Sequence, residues 1–287
     1  MATTEASTPA TPSTAMGDFD LIGIVFDESG SRTATAQASV DGLNEFIGGQ
    51  KEGGREVKFQ VVCFDTQQRN PDEPYSPTSH SLPPPPVFPR RQTAVPFGYR
   101  AAALPMAAPI TPTTPSTPLK TYAAGEMKPF VVGMPGSSAT HWGFQPRGGT
   151  ALCDAIGDMI TSMKKVPTRG TKVLVIETDG EENASSRYTS KAIKVMVEEC
   201  QGEGWTVIFL ASNLDATETG ASFGVAAAQC VSYNQHTSST SVWQATTACV
   251  QRARTGDHAG YTALERDISA GAAPAPPLRH VSSPGSL

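Results

Sequence analysis

No run of apolar residues in this chain approaches the roughly 20 needed to cross a bilayer. Its first residues, MATTEASTPATPSTAMGD, lack both the basic and the apolar segment of a secretory signal. The expectation is a cytoplasmic protein that engages no membrane. Aromatics are scarce at 7%, and hydrophobic residues make up 38% of 287, below the usual share for a fully packed chain. Part of the sequence is therefore expected to lie outside any core. No Lys/Arg cluster is dense enough to track a phosphate backbone, and 22 basic against 27 acidic residues leave a formal charge of -5, so nucleic acid is not an expected partner. No C-x-x-C pair occurs either. The five cysteines, Cys63, Cys153, Cys200, Cys230 and Cys249, are odd in number and widely spaced, which suits neither a disulfide framework nor a zinc site. Each lies in an apolar segment, where a reduced thiol serves as a small hydrophobe. G-x-x-x-x-G-K-[ST] and G-x-G-x-x-G stretches are missing too, so nucleotide hydrolysis and hydride transfer lack a signature.

Proline is abundant but unevenly placed, with 17 of 24 between Pro71 and Pro146. Tracts such as PDEPYSPTSHSLPPPP and APITPTTPSTP have polyproline character and no periodicity. They predict a Pro-rich insertion over residues 70–127, a spacer in the first instance, with a PxxP ligand for a partner's groove as the alternative. Residues 1–17 and 256–287 read as largely disordered tails, and one domain is expected over 18–255. Within it, Leu21 to Phe26, Lys58 to Phe64, Val173 to Ile176 and Val207 to Leu210 are strand-length apolar runs, suited to strands covered on both faces. Lys128 to Met134 is a further short strand. Helical stripes alternate with these runs: Ala36, Val40, Leu43 and Ile47; then Leu152, Ile156, Met159, Ile160 and Met163; then Ile193, Met196, Val197 and Cys200; with a last helix from Ser241 to Arg254. The predicted class is α/β, a doubly wound, mostly parallel sheet with helices on both faces.

In such sheets ligands sit beyond the carboxyl ends of the strands, where strand order reverses. The first run ends in Asp27-Glu28-Ser29-Gly30-Ser31, where alternate residues of an extended chain point the same way. Asp27, Ser29 and Ser31 can thus offer a carboxylate and two hydroxyls to one point. The third run ends in Glu177-Thr178-Asp179-Gly180, and Arg147-Gly148-Gly149-Thr150 presents a hydroxyl at the start of a helix. Two carboxylates and three hydroxyls, with no His or thiolate, form a hard oxygen site suited to Mg²⁺, with Mn²⁺ as competitor. Two carboxylates only neutralise a dication, so an Asp or Glu of a protein partner is the natural further ligand.

DESGS (Asp27 to Ser31), RGGTAL (Arg147 to Leu152) and TDGEEN (Thr178 to Asn183), in this order and strand context, resemble the von Willebrand factor type A (vWA) domain and its metal-ion-dependent adhesion site. The likeness is greatest to stand-alone intracellular members of bacteria and phages. GLNEFI (Gly42 to Ile47), DAIGDMI (Asp154 to Ile160) and SNLDAT (Ser212 to Thr217) match as well. The resemblance implies a vWA/Rossmann-like fold, direct metal ligation by Ser29 and Ser31, ligation by Thr150 in a high-affinity state, and a role for Asp27 and Asp179 directly or through water. The chain departs from the pattern at Arg32, where members often carry Met, and at the Pro-rich insertion, which falls between the second strand and Thr150.

The expected function is Mg²⁺-dependent protein binding without catalysis. Two alternatives stand beside it. A Mg²⁺-dependent phosphoryl-transfer hydrolase would want D-x-D-x-[TV], but Ser29 occupies the position of the second Asp, and a hydroxyl cannot serve as general acid near neutral pH. A structural or virion scaffold would make its contacts through the Pro-rich segments. Glu181 and Glu182 are read as solvated or helix-entry charges, and His141-Trp142 as candidates to line the binding face or simply to pack.

Overall fold

A computed structural model describes residues 16–52, 54–73, 118–133, 138–234 and 239–271. In chain order the first elements are β1 (Asp20–Asp27), α1 (Ala36–Lys51), β2 (Val57–Phe64), β3 (Gln68–Arg69), β4 (Thr121–Ala123), β5 (Phe130–Val132) and β6 (Trp142–Phe144). They are followed by α2 (Leu152–Lys164), β7 (Lys172–Thr178), α3 (Ser190–Gly202), β8 (Thr206–Ser212), α4 (Ala216–Ser222), β9 (Cys230–Tyr233), α5 (Ser239–Arg254) and α6 (Ala263–Ser269).

The main sheet has seven strands in the order β3-β2-β1-β7-β8-β9, with β4 also on β2. Neighbours from β2 through β9 are parallel, while β3 and β4 run antiparallel on the outer edge of β2. The chain leaves β1 through α1 to one side and later crosses to β7, β8 and β9 on the other. Strand order therefore reverses at β1 and β7, and this is the doubly wound α/β arrangement.

Alternation along β1 divides the interior. Ile22, Ile24 and Phe26 join α1, α5 and the small β5-β6 sheet in one core, and Leu21 and Val25 join α2 and α3 in the other. Gly23 breaks the apolar run because α2 lies against it: a Cβ there would sit 2.3 Å from Met163 Sδ. On the opposite layer, Phe46 of α1 meets Trp243 of α5 with ring centroids 5.3 Å apart. Deleting a large side chain from cores this closely filled costs about 2–5 kcal/mol.

Two expectations need correction. The C-terminal boundary at 255 falls inside structured chain. Tyr261 is buried, Thr262 and Glu265 form a capping box on α6, and Arg252 makes a two-bond pair with Glu265 at 2.7 and 2.8 Å. The helix has seven residues, too few for a periodic stripe to stand out. The insertion also ends before 127: β4 pairs with Lys58 to Gln60 and buries Tyr122. Residues 74–117, which hold the main PxxP tracts, lie outside the described residues, as do 1–15 and 272–287. Of the two readings of Trp142, the structure bears out packing. It is 1% exposed, packed on Tyr122 and Phe130 at ring-centroid distances of 5.0 and 5.4 Å. Among the described residues no helix is long and apolar enough to cross a membrane.

Candidate metal-binding site

The carboxyl ends of β1 and β7 lie side by side at the reversal, which places Asp27 beside Thr178 and Asp179. Asp27 is buried and fixed on both oxygens. The Ser29 N–H donates to its Oδ1 at 2.8 Å, the Thr178 hydroxyl donates to its Oδ2 at 2.6 Å, and the Asp179 N–H reaches the same oxygen at 3.4 Å. Burial pushes the Asp27 carboxyl above its usual range, against the pull of Arg32 and of the hydrogen bonds from Thr178 and Ser29. Ser29 precedes a short 3-10 turn, Gly30–Ala34, that carries Ser31 back over the strand ends. The two serine hydroxyls are 3.0 Å apart, and both face Asp179 Oδ1, Ser31 donating at 2.6 Å and Ser29 at 3.5 Å.

Thr150 arrives from a third loop that is fastened to the other two. The Gly30 N–H donates to Gly148 O at 3.2 Å and the Arg147 N–H to Glu28 O at 2.9 Å. Asn183 takes the Thr150 N–H on its Oδ1 at 2.8 Å, and its own N–H donates to Thr150 O at 3.0 Å. A Cβ at Gly180 would sit 3.2 Å from Thr150 Oγ1 and 3.9 Å from Ser31 Oγ, so both hydroxyls border the space beside that glycine. All five residues singled out from sequence, Asp27, Ser29, Ser31, Thr150 and Asp179, are thus brought together on the rim where strand order reverses.

The donor set fits a hard divalent cation. Asp179 is 3% exposed and its Oδ2 has no hydrogen-bond partner among the described residues, although a buried carboxylate oxygen is costly to leave unpaired. Among the described residues no group of three or more His, Cys, Asp or Glu side chains is placed to hold a metal, so an ion here would depend on the hydroxyls. That favours Mg²⁺ or Mn²⁺ chemistry over a thiolate or imidazole site.

Behind these oxygens lies a charged group that sequence reasoning did not assemble. Arg32 is completely buried. Its Nη2 donates to Glu177 Oε1, its Nη1 donates to Ser39 Oγ at 2.9 Å and Tyr233 OH at 3.3 Å, and its Nε stands 3.5 Å from Asp179 Oδ1. Burial pulls the Arg32 guanidinium down, but Glu177, Tyr233, Asp27 and Asp179 together outweigh it and raise it well above its ordinary value, so it is a cation. The signal in the sequence was a glutamate near the end of an otherwise apolar central strand, which requires a partner. Glu182 is a helix-entry charge: it accepts the Cys153 N–H of α2 at 2.7 Å as well as the Ala184 and Ser185 N–H groups.

The five thiols are all free and buried, and burial pushes them up, Cys63 and Cys153 to about 12 and Cys200, Cys230 and Cys249 to about 11. Thiols raised this far are inert at neutral pH. His141 Nδ1 lies 2.8 Å from Ser138 Oγ and His258 Nδ1 lies 2.8 Å from Thr206 Oγ1, both away from the five-oxygen site.

A doubly wound α/β domain with a rim of two carboxylates and three hydroxyls is the class that fold and geometry define. No protein-family profile matches the sequence, and no curated protein matches it. Among solved structures the fold is similar to proximal thread matrix protein 1 from the mussel byssus, with a TM-score of 0.47, 13% identity, and 82% of this chain and 46% of that one covered. It is also similar to a von Willebrand factor type A protein from Catenulispora acidiphila, with a TM-score of 0.42, 12% identity, and 82% and 43% covered. The PilB minor pilin from Streptococcus sanguinis aligns with a TM-score of 0.41, 12% identity, and 85% and 64% covered. The chain spans about half the length of the first two of these proteins.

Proposed function

We propose that this chain is a vWA-type protein-interaction domain that binds Mg²⁺ through Asp27, Ser29, Ser31, Thr150 and Asp179 and docks an acidic residue of a protein partner on that ion. The observation that carries the proposal is the state of Asp179. One of its buried oxygens takes the hydroxyls of Ser29 and Ser31, and the other, Oδ2, has no donor among the described residues. The ordered motifs that resemble the vWA adhesion site supply the same five positions. When bound, the ion would supply Lewis-acid attraction for an external carboxylate. The chain's own residues do the remainder: Thr178 and the Ser29 N–H fix Asp27, while Asn183 fixes the loop of Thr150.

The domain acts by binding and not by catalysis in this reading. The position two residues beyond Asp27, where a hydrolase would carry its acid, is a serine hydroxyl committed to Asp179 and Ser31. Glu28, the residue after Asp27, is held by two bonds from Arg69 at 2.7 and 3.1 Å and by the Gln145 N–H at 2.7 Å. Five buried, unpaired thiols suit a reducing, intracellular setting.

Calorimetric titration with Mg²⁺ tests the metal: the wild type binds and Asp27→Ala does not, and equal heats from both would end the proposal. Capture of a protein partner that is released by chelator, and is not captured by Asp27→Ala, tests the docking.

A further inference from the structure

The charges at the site do not stop at its two aspartates. Arg32 directly follows Ser31, and its guanidinium is wedged between Glu177 on one side and Asp179 on the other. The contact with Asp179 is electrostatic: Arg32 Nε comes within 3.5 Å of Oδ1 yet makes no hydrogen bond. Glu177 is itself completed by the Tyr233 hydroxyl, which donates to Oε1. All four residues, Arg32, Glu177, Tyr233 and Asp179, are buried, so water screens these interactions poorly. The guanidinium is the member of the pair in contact with a metal-site aspartate, and Glu177 acts on Asp27 only through its field.

Two consequences follow from Coulomb's law. Without metal, buried Asp27 and Asp179 repel each other, and a fixed cation beside Asp179 offsets part of that cost. With metal, the guanidinium and the dication share one carboxylate and repel. We propose that Arg32 is the resident counter-cation of the site: it holds Asp179 in place when no metal is bound, and a divalent ion binds against its field, so that Arg32 sets the metal affinity below what the five oxygen donors alone would give. This rests on the proposed metal site, and it assigns Arg32 a positioning and affinity-setting role through Asp179. It adds Glu177 as the residue that sets how much of the field the metal feels.

The two residues give opposite signs, and that makes the inference testable. In Glu177→Gln the cation loses its counter-charge and acts in full on the site, so Mg²⁺ binding weakens. In the double variant Arg32→Met/Glu177→Gln the pair is gone, so Mg²⁺ binding tightens by about tenfold, or about 1.4 kcal/mol. Arg32→Lys keeps the charge and stays near the wild-type affinity. The measurement is calorimetric titration of full-length protein with MgCl₂ and, separately, MnCl₂, with circular dichroism to confirm folding. Damage to the fold lowers affinity in every variant and cannot raise it in one. Should the double variant fail to fold, Glu177→Gln alone decides: affinity equal to or above wild type overturns the inference, as does a double variant no tighter than wild type. If the wild type binds neither ion, the metal site itself is wrong, a result distinguishable from failure of the Arg32 assignment.

Discussion

Thr178 and Asp27 join the two strands at which the sheet reverses, the Thr178 hydroxyl donating to Asp27 Oδ2 at 2.6 Å. This bond, with the Ser29 N–H on the other oxygen, holds a carboxylate where burial disfavours its charge. Function and stability are therefore opposed at Asp27. Asp27→Asn removes the buried charge while keeping the shape, and the Thr178 hydroxyl has Gly180 O as an acceptor at 3.1 Å. In chelator, the variant is expected to unfold within about 1 kcal/mol of wild type or above it. In excess Mg²⁺ the wild type should gain about 2.7 kcal/mol at a hundredfold excess over the dissociation constant, and the variant nothing. Thermal melts with and without Mg²⁺ check both halves. A variant destabilised in chelator that still responds to Mg²⁺ would refute the assignment of Asp27.

Gly148 sets the path of the loop that delivers Thr150. Its φ is +65°, and a Cβ there would fall 2.6 Å from Thr66 Oγ1, the atom that accepts the Gly149 N–H at 2.8 Å. Gly148→Ala combines a left-handed conformation with a clash at that acceptor. The expected cost is about 1–3 kcal/mol, with weaker Mg²⁺ binding because Thr150 is two residues away. Gly54→Ala, where no atom lies within 4 Å of the new Cβ, serves as the control and should be near neutral. Denaturant unfolding of both variants decides the matter.

Much of this arrangement was legible in the residues. Leu21 to Phe26 announces a strand buried on both faces because both faces are in fact covered, and Leu152 to Met163 announces its helix because one stripe meets the sheet. Asp27, Ser29, Ser31 and Asp179 were legible because they come just after apolar runs, and Thr150 because it ends a Gly turn at the start of a helical stripe. The rest depended on contacts distant in sequence. β9 has four residues, one of them exposed Ser232, and owes its pairing to β8. α4 presents Ala216 and Gly220 as its buried positions, too little apolar surface to mark a helix, although Asp215 caps it. Arg32 stood out as a departure from a pattern, but its partner Glu177 lies 145 positions away, and no local period reports such a pair.

The C-terminal helix makes a prediction about pH. Burial alone would raise the Glu265 carboxyl, but the bonds from Arg252 and Thr262 outweigh it and hold the group below its usual range. A depressed carboxyl contributes stability that is complete above its unfolded value, about 4.3, and that is lost as pH falls through the folded value. Wild type should exceed Glu265→Gln by about 1–2 kcal/mol at neutral pH, a modest figure because the pair is partly exposed. The gap should hold down to about pH 5 and close below that. Urea titrations of both proteins across this range test it, and a gap that widens on acidification would show the sign to be wrong.

The stems of the Pro-rich insertion are clasped to each other. Asn70 donates to Pro118 O at 3.0 Å and accepts the Lys120 N–H at 2.8 Å, while Asp72 takes Lys120 Nζ and the Tyr122 hydroxyl, each at 2.8 Å. The clasp lies beside β2, at the outer edge of the sheet. Its strands pair with Lys58 to Gln60 and with Cys63 and Phe64. Replacing residues 74–117 with a linker of a few Gly and Ser should leave the protein folded and, by shortening the loop, about 1–2 kcal/mol more stable. Mg²⁺ affinity should be unchanged, because Asp27, Thr150 and Asp179 are fixed by bonds that do not pass through the clasp. Asn70→Ala in the full chain should instead destabilise, because it removes two bonds between the stems. Calorimetric titration of the shortened protein separates the two cases: a loss of Mg²⁺ binding with the fold intact would mean that residues 74–117 take part in the site.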